Sequence, residues 1–117
     1  MKKSVMSLCA VFAIGFLTTM AFPEVALAKR AQCQLTVDGV TYINGLCDFV
    51  RIGNDGSFQI FAIPNNGYFA DVSVNGDGTA EGYWNEIPGT NHAHSRLGTL
   101  VRNDACWVNS RVIVCAK

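Results

Sequence analysis

Residues 58–84 read FQIFAIPNNGYFADVSVNGDGTAEGYW, three short apolar runs cut by two turn clusters, Pro64-Asn65-Asn66-Gly67 and Asn75-Gly76-Asp77-Gly78. Runs rich in Phe, Ile, Tyr and Val, bounded by Asn, Asp, Gly and Pro, signal an antiparallel meander. A four-residue loop at the first cluster predicts Ile63 opposite Tyr68, Phe61 opposite Ala70 and Gln59 opposite Val72. Phe58, Ile60 and Ala62 then lie on the other face, near Phe69. Large apolar groups on both faces fit strands in the middle of a small sheet with material on each side.

Upstream, residues 33–47 read CQLTVDGVTYINGLC, in which Leu35 and Val37 alternate with polar neighbours before Asp38-Gly39. A two-residue Asp-Gly between alternating runs predicts a tight hairpin into Val40–Ile43. Asn44-Gly45 reads as a second turn, and Phe49–Ile52 as another short strand closed by Gly53-Asn54-Asp55-Gly56. Downstream, Leu97–Val101, Cys106–Val108 and Val112–Cys115 read as strands, the last two joined at Asn109-Ser110. No window carries the i, i+3, i+4 pattern of an amphipathic helix. The expectation is an all-β fold of about seven or eight short strands, a small antiparallel meander closed as a barrel or stacked as a two-layer sandwich. Asp-Gly recurs before three runs, at Asp38, Asp55 and Asp77. The uneven spacing makes this repeated turn chemistry rather than internal duplication.

The chain has 117 residues, and its start reads as a leader. Met1-Lys2-Lys3 is basic, Val5–Ala21 is almost wholly apolar, Pro23 breaks the run, and Ala26-Leu27-Ala28 gives a small-x-small cleavage pattern. Residues 1–28 are therefore read as a secretory signal peptide that is removed, leaving 29–117 as a single small β-domain. Retention of the apolar run as a membrane anchor is the alternative. Export implies a periplasmic or secreted protein with no stable membrane insertion after cleavage.

A domain of this size buries a modest share of its surface and gains from covalent restraint. Of five cysteines, Cys9 falls in the leader and four remain. An even number in a short exported chain predicts two disulfides. Cys33–Cys47 and Cys106–Cys115 are the expected pairs, because each brackets a hairpin. A two-residue turn at Asn109-Ser110 would set Cys106 opposite Ile113, so the second pair requires a longer turn or a bulge. The spacing is too wide for the usual zinc sites. Nine Lys and Arg balance nine Asp and Glu, which argues against nucleic acid as a partner.

No residue pattern points to catalysis. His92-Ala93-His94 places two imidazoles on one side of an extended segment. With Asp71 or Asp104 as a third ligand they would hold zinc or copper. Two exposed loop histidines are the simpler reading, and no metal or other cofactor is expected. Ser95 beside His94 lacks the strand-to-helix elbow of a nucleophile, and Glu81 with Glu86 has little room for a cleft. The domain is read as a binding protein of the cell envelope and not as an enzyme. An inhibitor of a wall-degrading enzyme and a glycan- or protein-binding module are the leading forms of that reading. A metal-binding periplasmic protein using His92 and His94, or a structural envelope protein, are the alternatives. A small sheet meets ligands through loops and exposed rings. The expected contacts therefore centre on Tyr83, Trp84, Asn85, Glu86, Asn91, His92, His94 and Arg96, with an envelope protein or glycan as partner. Tyr83 and Trp84 leave opposite faces of one strand, so one of them anchors the ligand while the other packs inward.

Overall fold

The computed structural model describes residues 28–117; apart from Ala28, the leader lies outside the described residues. Eight strands follow one another: β1 (Ala28–Val37), β2 (Val40–Ile52), β3 (Ser57–Ala62), β4 (Phe69–Val74), β5 (Thr79–Trp84), β6 (Ser95–Asn103), β7 (Cys106–Val108) and β8 (Val112–Ala116). Each pairs antiparallel with the next, and β8 returns to β1 through Cys33–Ala116, Leu35–Val114 and Val37–Val112. The sheet is thus a closed up-and-down barrel rather than a sandwich. Closure removes the free edges that a small open sheet would expose.

Alternation fills the interior. Leu35, Ile43, Ile60, Val72, Leu97, Leu100, Val112 and Val114 are fully or almost fully buried, with Ala70 and Ala80 beside them. An eight-stranded barrel is wide enough for side chains alone, and the small residues of β4 and β5 leave room for Trp84 and Trp107. Gly82 belongs to this fit: a methyl group there would lie 2.8 Å from Leu100 Cδ1 and 3.1 Å from Leu97 Cβ.

Both expected disulfides are present. Cys33 and Cys47 join β1 to β2 as a diagonal pair, with Cα atoms 5.8 Å apart and both side chains in the core. Cys106 and Cys115 are directly opposite on β7 and β8. The turn between these strands is longer than Asn109-Ser110 alone. Val108 pairs with Ile113, and the Asn109 N–H donates to the Val112 carbonyl at 3.1 Å. That extra length supplies the register that the second disulfide needs.

Two local expectations change. Asn44-Gly45 does not turn the chain: β2 runs through it as one strand, bonded to β1 on one side and β3 on the other. The β3–β4 register also moves by one residue, to Phe58–Val72, Gln59–Asp71, Ile60–Ala70 and Phe61–Phe69. The connection is longer than Pro64–Gly67. Ile63 stays bonded to Leu46 of β2 at 2.9 Å, and the Asn65 and Asn66 side chains cap the N–H groups of Gly67 and Tyr68. A one-residue slip exchanges faces. Phe58 and Ile60 consequently face the core with Ala70 and Val72, while Phe61 and Phe69 stack together outside, ring centroids 5.3 Å apart.

Up-and-down topology sorts the connections by parity. The turns after β1, β3, β5 and β7 meet at one end of the barrel, and those after β2, β4 and β6 at the other, beside Ala28 and Lys117. The first end carries the long connections, Ile63–Tyr68 and Asn85–His94, and it holds the candidate site.

Candidate binding site

The tight end-turn at Asp38-Gly39 has φ of 51° and 83°, the left-handed pair that a two-residue hairpin demands. A few residues on, β2 carries a bulge: Leu35 pairs with Ile43 and Thr36 with Thr41, so Tyr42 has no partner across the ladder. Bulges re-aim side chains. Here the Tyr42 ring packs on Trp84 at 4.7 Å and on Tyr68 at 5.0 Å, with Tyr68 stacked on Trp84 at 6.0 Å. The Tyr42 carbonyl, freed by the bulge, accepts a hydrogen bond from Asn66 Nδ2 at 2.8 Å. A second bulge, at Leu97 opposite the Gly82/Tyr83 step, is held similarly by Asn109, whose Nδ2 reaches the Leu97 carbonyl at 3.0 Å. Both irregularities lie toward the same end of the barrel.

The three rings form the apolar side of a partly enclosed depression of about 370 Å³, completed by Val37, Asp38, Val40, Glu86, Ser95, Arg96 and Arg111. Each of its charged groups already has a side-chain partner. Arg111 grips Asp38 in a two-pronged pair, Nε to Oδ1 at 2.9 Å and Nη2 to Oδ2 at 3.0 Å. That guanidinium holds the Asp38 carboxyl below the usual range, and Asp38 in turn raises Arg111. Arg96 bonds Glu81 at 2.6 Å, and Thr99 donates to the other Glu81 oxygen at 2.8 Å. Hydrogen bonding by Thr99, then by Arg96, lowers the Glu81 pKa. Ser95 donates to Glu86. Two carboxylates and two guanidiniums line the space, so its walls are charge-balanced while offering donors and acceptors of both kinds.

The residues singled out in the sequence divide among four places. Trp84, Glu86 and Arg96 line the depression. Trp84 is the inward ring, 5% exposed, and Tyr83 is the outward one, opposite Asp71 on β4 and Arg96 on β6. Asn85 is fully buried. Its Nδ2 donates to the carbonyls of Gly67 (2.6 Å), Ile87 (3.2 Å) and Thr90 (3.1 Å), and its Oδ1 accepts from the Phe69 N–H at 3.1 Å. The amide that the sequence offers to a ligand thus clamps the loop after β5 onto the loop before β4. Asn91, His92 and His94 are exposed on the far part of that loop and outside the depression. His94 Nδ1 lies 3.1 Å from the His92 carbonyl. Asp71 is on the barrel wall and Asp104 in the turn at the opposite end. No group of three or more His, Cys, Asp or Glu placed to hold a metal exists among the described residues.

Tyr42, Tyr68, Asp38 and Arg111 were not among the expected contacts. The signal that locates them is the strand count, because in a meander every second connection shares an end. That rule brings Asp38, Tyr68 and Arg111 beside residues 85–96. Comparison of the chain with protein families, with curated proteins and with solved structures returned no match.

Proposed function

We propose that this chain is an exported binding protein of the cell envelope, and that the depression at the loop-bearing end takes a neutral, hydroxyl-rich ligand, a segment of a glycan. The observation that carries the reading is the lining itself: three aromatic rings beside two carboxylates and two guanidiniums, each of them already partnered. The C–H face of a sugar ring is apolar and packs on an aromatic ring, as amphipathic rings do. Its hydroxyls both donate and accept, which suits guanidiniums and carboxylates set side by side. A net charge in the wall would instead favour an ionic ligand. The volume lies at the small end of the ligand-site range, about 300–1,000 Å³, enough for a short stretch of chain rather than a long one. The two disulfides fit an oxidising compartment. Binding rather than catalysis is favoured by the engagement of Asp38 and Glu86 with Arg111 and Ser95.

Titration of the oxidised domain with a soluble β-1,4-linked N-acetylglucosamine tetramer, followed by NMR, tests this. Shifts should concentrate on Tyr42, Tyr68, Trp84 and Arg111, and Arg111→Ala should weaken binding while leaving the fold intact. Shifts scattered over the barrel, or none at millimolar sugar, would remove the glycan reading.

A second reading, an inhibitor that seats this end on a wall-degrading enzyme, draws on two side chains. Val40 and Ile87 are 52% and 57% exposed at the same end, apolar groups suited to a protein contact. It is distinguished by adding the domain to a muramidase digesting a peptidoglycan suspension. Inhibition by wild type and its loss in Ile87→Glu would select this reading over direct glycan binding.

A further inference from the structure

We propose that Asn66 and Asn109 are positioning residues of the end depression, each presetting one of its walls before a ligand arrives. The two side chains repeat one construction. Asn66 lies in the connection after β3, where its Oδ1 accepts the Tyr68 N–H, two residues on, at 3.0 Å. Its Nδ2 donates at 2.8 Å to the carbonyl of Tyr42, the residue that bulges from β2. Asn109 lies in the turn after β7, where its Oδ1 accepts the Arg111 N–H, again two residues on, at 2.9 Å. Its Nδ2 donates at 3.0 Å to the carbonyl of Leu97, the residue that bulges from β6, and at 3.2 Å to that of Thr99. The seams concerned, β2–β3 and β6–β7, are four strands apart in a closed sheet of eight. They therefore stand across the barrel axis from each other.

What each amide fastens is a pair of places in the lining. Asn66 joins Tyr42 to Tyr68, both on the aromatic side of the depression, with ring centroids 5.0 Å apart. Asn109 joins Arg111 to the β6 bulge that follows Arg96, and both arginines line the charged side. A bulge re-aims a side chain but disrupts the ladder beside it, so the new aim is loosely held unless something else bonds the freed carbonyl. An amide carries a donor and an acceptor on one rigid group. With the acceptor capping a turn N–H and the donor on the bulge carbonyl, it fixes turn and bulge relative to each other. The turns at the opposite end make the same cap with Asp55 on Ser57 and Asp77 on Thr79. A carboxylate accepts but has no hydrogen to give a neighbouring strand, so the donor occurs where the depression is. Asn66 is exposed and Asn109 half-buried, and such bonds add little to folding. Their value lies in binding, because groups already held lose less freedom when a ligand orders them. The effect on affinity rests on the glycan reading; the effect on ring and guanidinium placement is a property of the free domain.

Serine separates the two bonds: it keeps a cap on the residue two places on, adds no charge, and is too short to reach the bulge carbonyl. In the oxidised, sugar-free domain, NMR should show close contacts between the Tyr42 and Tyr68 rings that weaken in Asn66→Ser. The Arg111 Nε–H, bonded to Asp38 at 2.9 Å, should exchange with water slowly in wild type and faster in Asn109→Ser. Affinity for the β-1,4-linked N-acetylglucosamine tetramer should fall at least about fivefold in each variant. Both should still melt within about 8 °C of wild type, as loss of a surface hydrogen bond implies. Asn75→Ser is the control, since the Asn75 amide bonds Thr79 at the opposite end; its affinity should equal that of wild type. Unchanged ring contacts in Asn66→Ser, unchanged Arg111 exchange in Asn109→Ser, or undiminished affinity in either would overturn the proposal. Rings that rearrange when wild type takes up the sugar would overturn it too, because the wall would not be preset. Unfolding of either variant would make its asparagine a determinant of the fold and equally reject the role. Failure of wild type to bind the tetramer removes the glycan reading and leaves the sugar-free ring and arginine signals to decide this one.

Discussion

Asn85 shows how a polar residue in a polar-looking loop becomes a core residue. Four hydrogen bonds converge on one buried amide, all of them to loop or strand-end backbone, and two of its acceptors, the Gly67 and Ile87 carbonyls, also take a backbone N–H. Asn85→Ala should destabilise by about 2–4 kcal/mol, since it removes four hydrogen bonds at a buried site and opens a cavity. Asn85→Asp keeps the shape but points an anion at those carbonyls. Its melting temperature should be lowest at neutral pH and recover in part on acidification, as the carboxyl protonates. Thermal melts of both variants between pH 4 and 8 check this. Asp71 obeys the same sign in the native chain. With a pKa raised by burial, it binds its proton more tightly folded than unfolded, so its charged form costs stability above the folded pKa, and the cost disappears as pH falls through it. Asp71→Asn should therefore match or slightly exceed wild type at neutral pH, by no more than about 1 kcal/mol given its partial exposure, and lose that advantage in acid. Neither role was legible in the chain. Asn and Asp in β-rich sequences read as turn formers or ligands, and only neighbours brought in from distant strands decide otherwise.

At the level of elements, the two long connections are one device. Gly67 and Gly89 join backbone to backbone at 2.9 Å, and Asn85 ties both to the barrel. Gly67 has φ of +89°, and a methyl group there would stand 2.8 Å from both Gly89 N and Pro88 Cβ. Gly76, in the turn after β4, has φ of +90° but open space around it. Gly67→Ala should thus cost the conformational penalty common to both sites plus about 1–3 kcal/mol for the clash, and the difference from Gly76→Ala isolates that clash. Equal losses on denaturation would show that the loops are not closely joined. The strands themselves were readable: period-two alternation and Asp38-Gly39 mark them plainly. Their registers were not. The one-residue shift between β3 and β4 comes from Ile63 keeping its bond to Leu46 and from two Asn side chains capping the following residues, and no local pattern counts those in.

Over the whole molecule, the disulfides staple two of the eight seams. Their sequence separations are 14 and 9, short loops that stabilise by roughly 3 and 2.7 kcal/mol in the chain-entropy picture. Replacing Cys33 and Cys47 together by Ala should cost somewhat more than replacing Cys106 and Cys115, also because the first pair is deeper in the core. Chemical denaturation of the two double variants measures the order, and reversal of it would place the main restraint at β7–β8. The pairings were legible because each spans one hairpin. Closure of β8 onto β1 was not, since it joins the two extremes of the domain and leaves no trace in local spacing; barrel and sandwich therefore looked alike.

The sorting of connections by parity has a chemical corollary. The described chain contains two lysines, Lys29 and Lys117, and both belong to the end where β1 begins and β8 finishes. Lys117 closes onto Gln32, three residues along β1 from Lys29, through two backbone hydrogen bonds at 2.7 and 2.9 Å. The loop-bearing end uses arginine alone for positive charge. Side-chain amine chemistry on the described barrel is thus confined to one pole, and an amine-reactive surface or label grips it there, leaving the aromatic depression turned outward in every attached molecule.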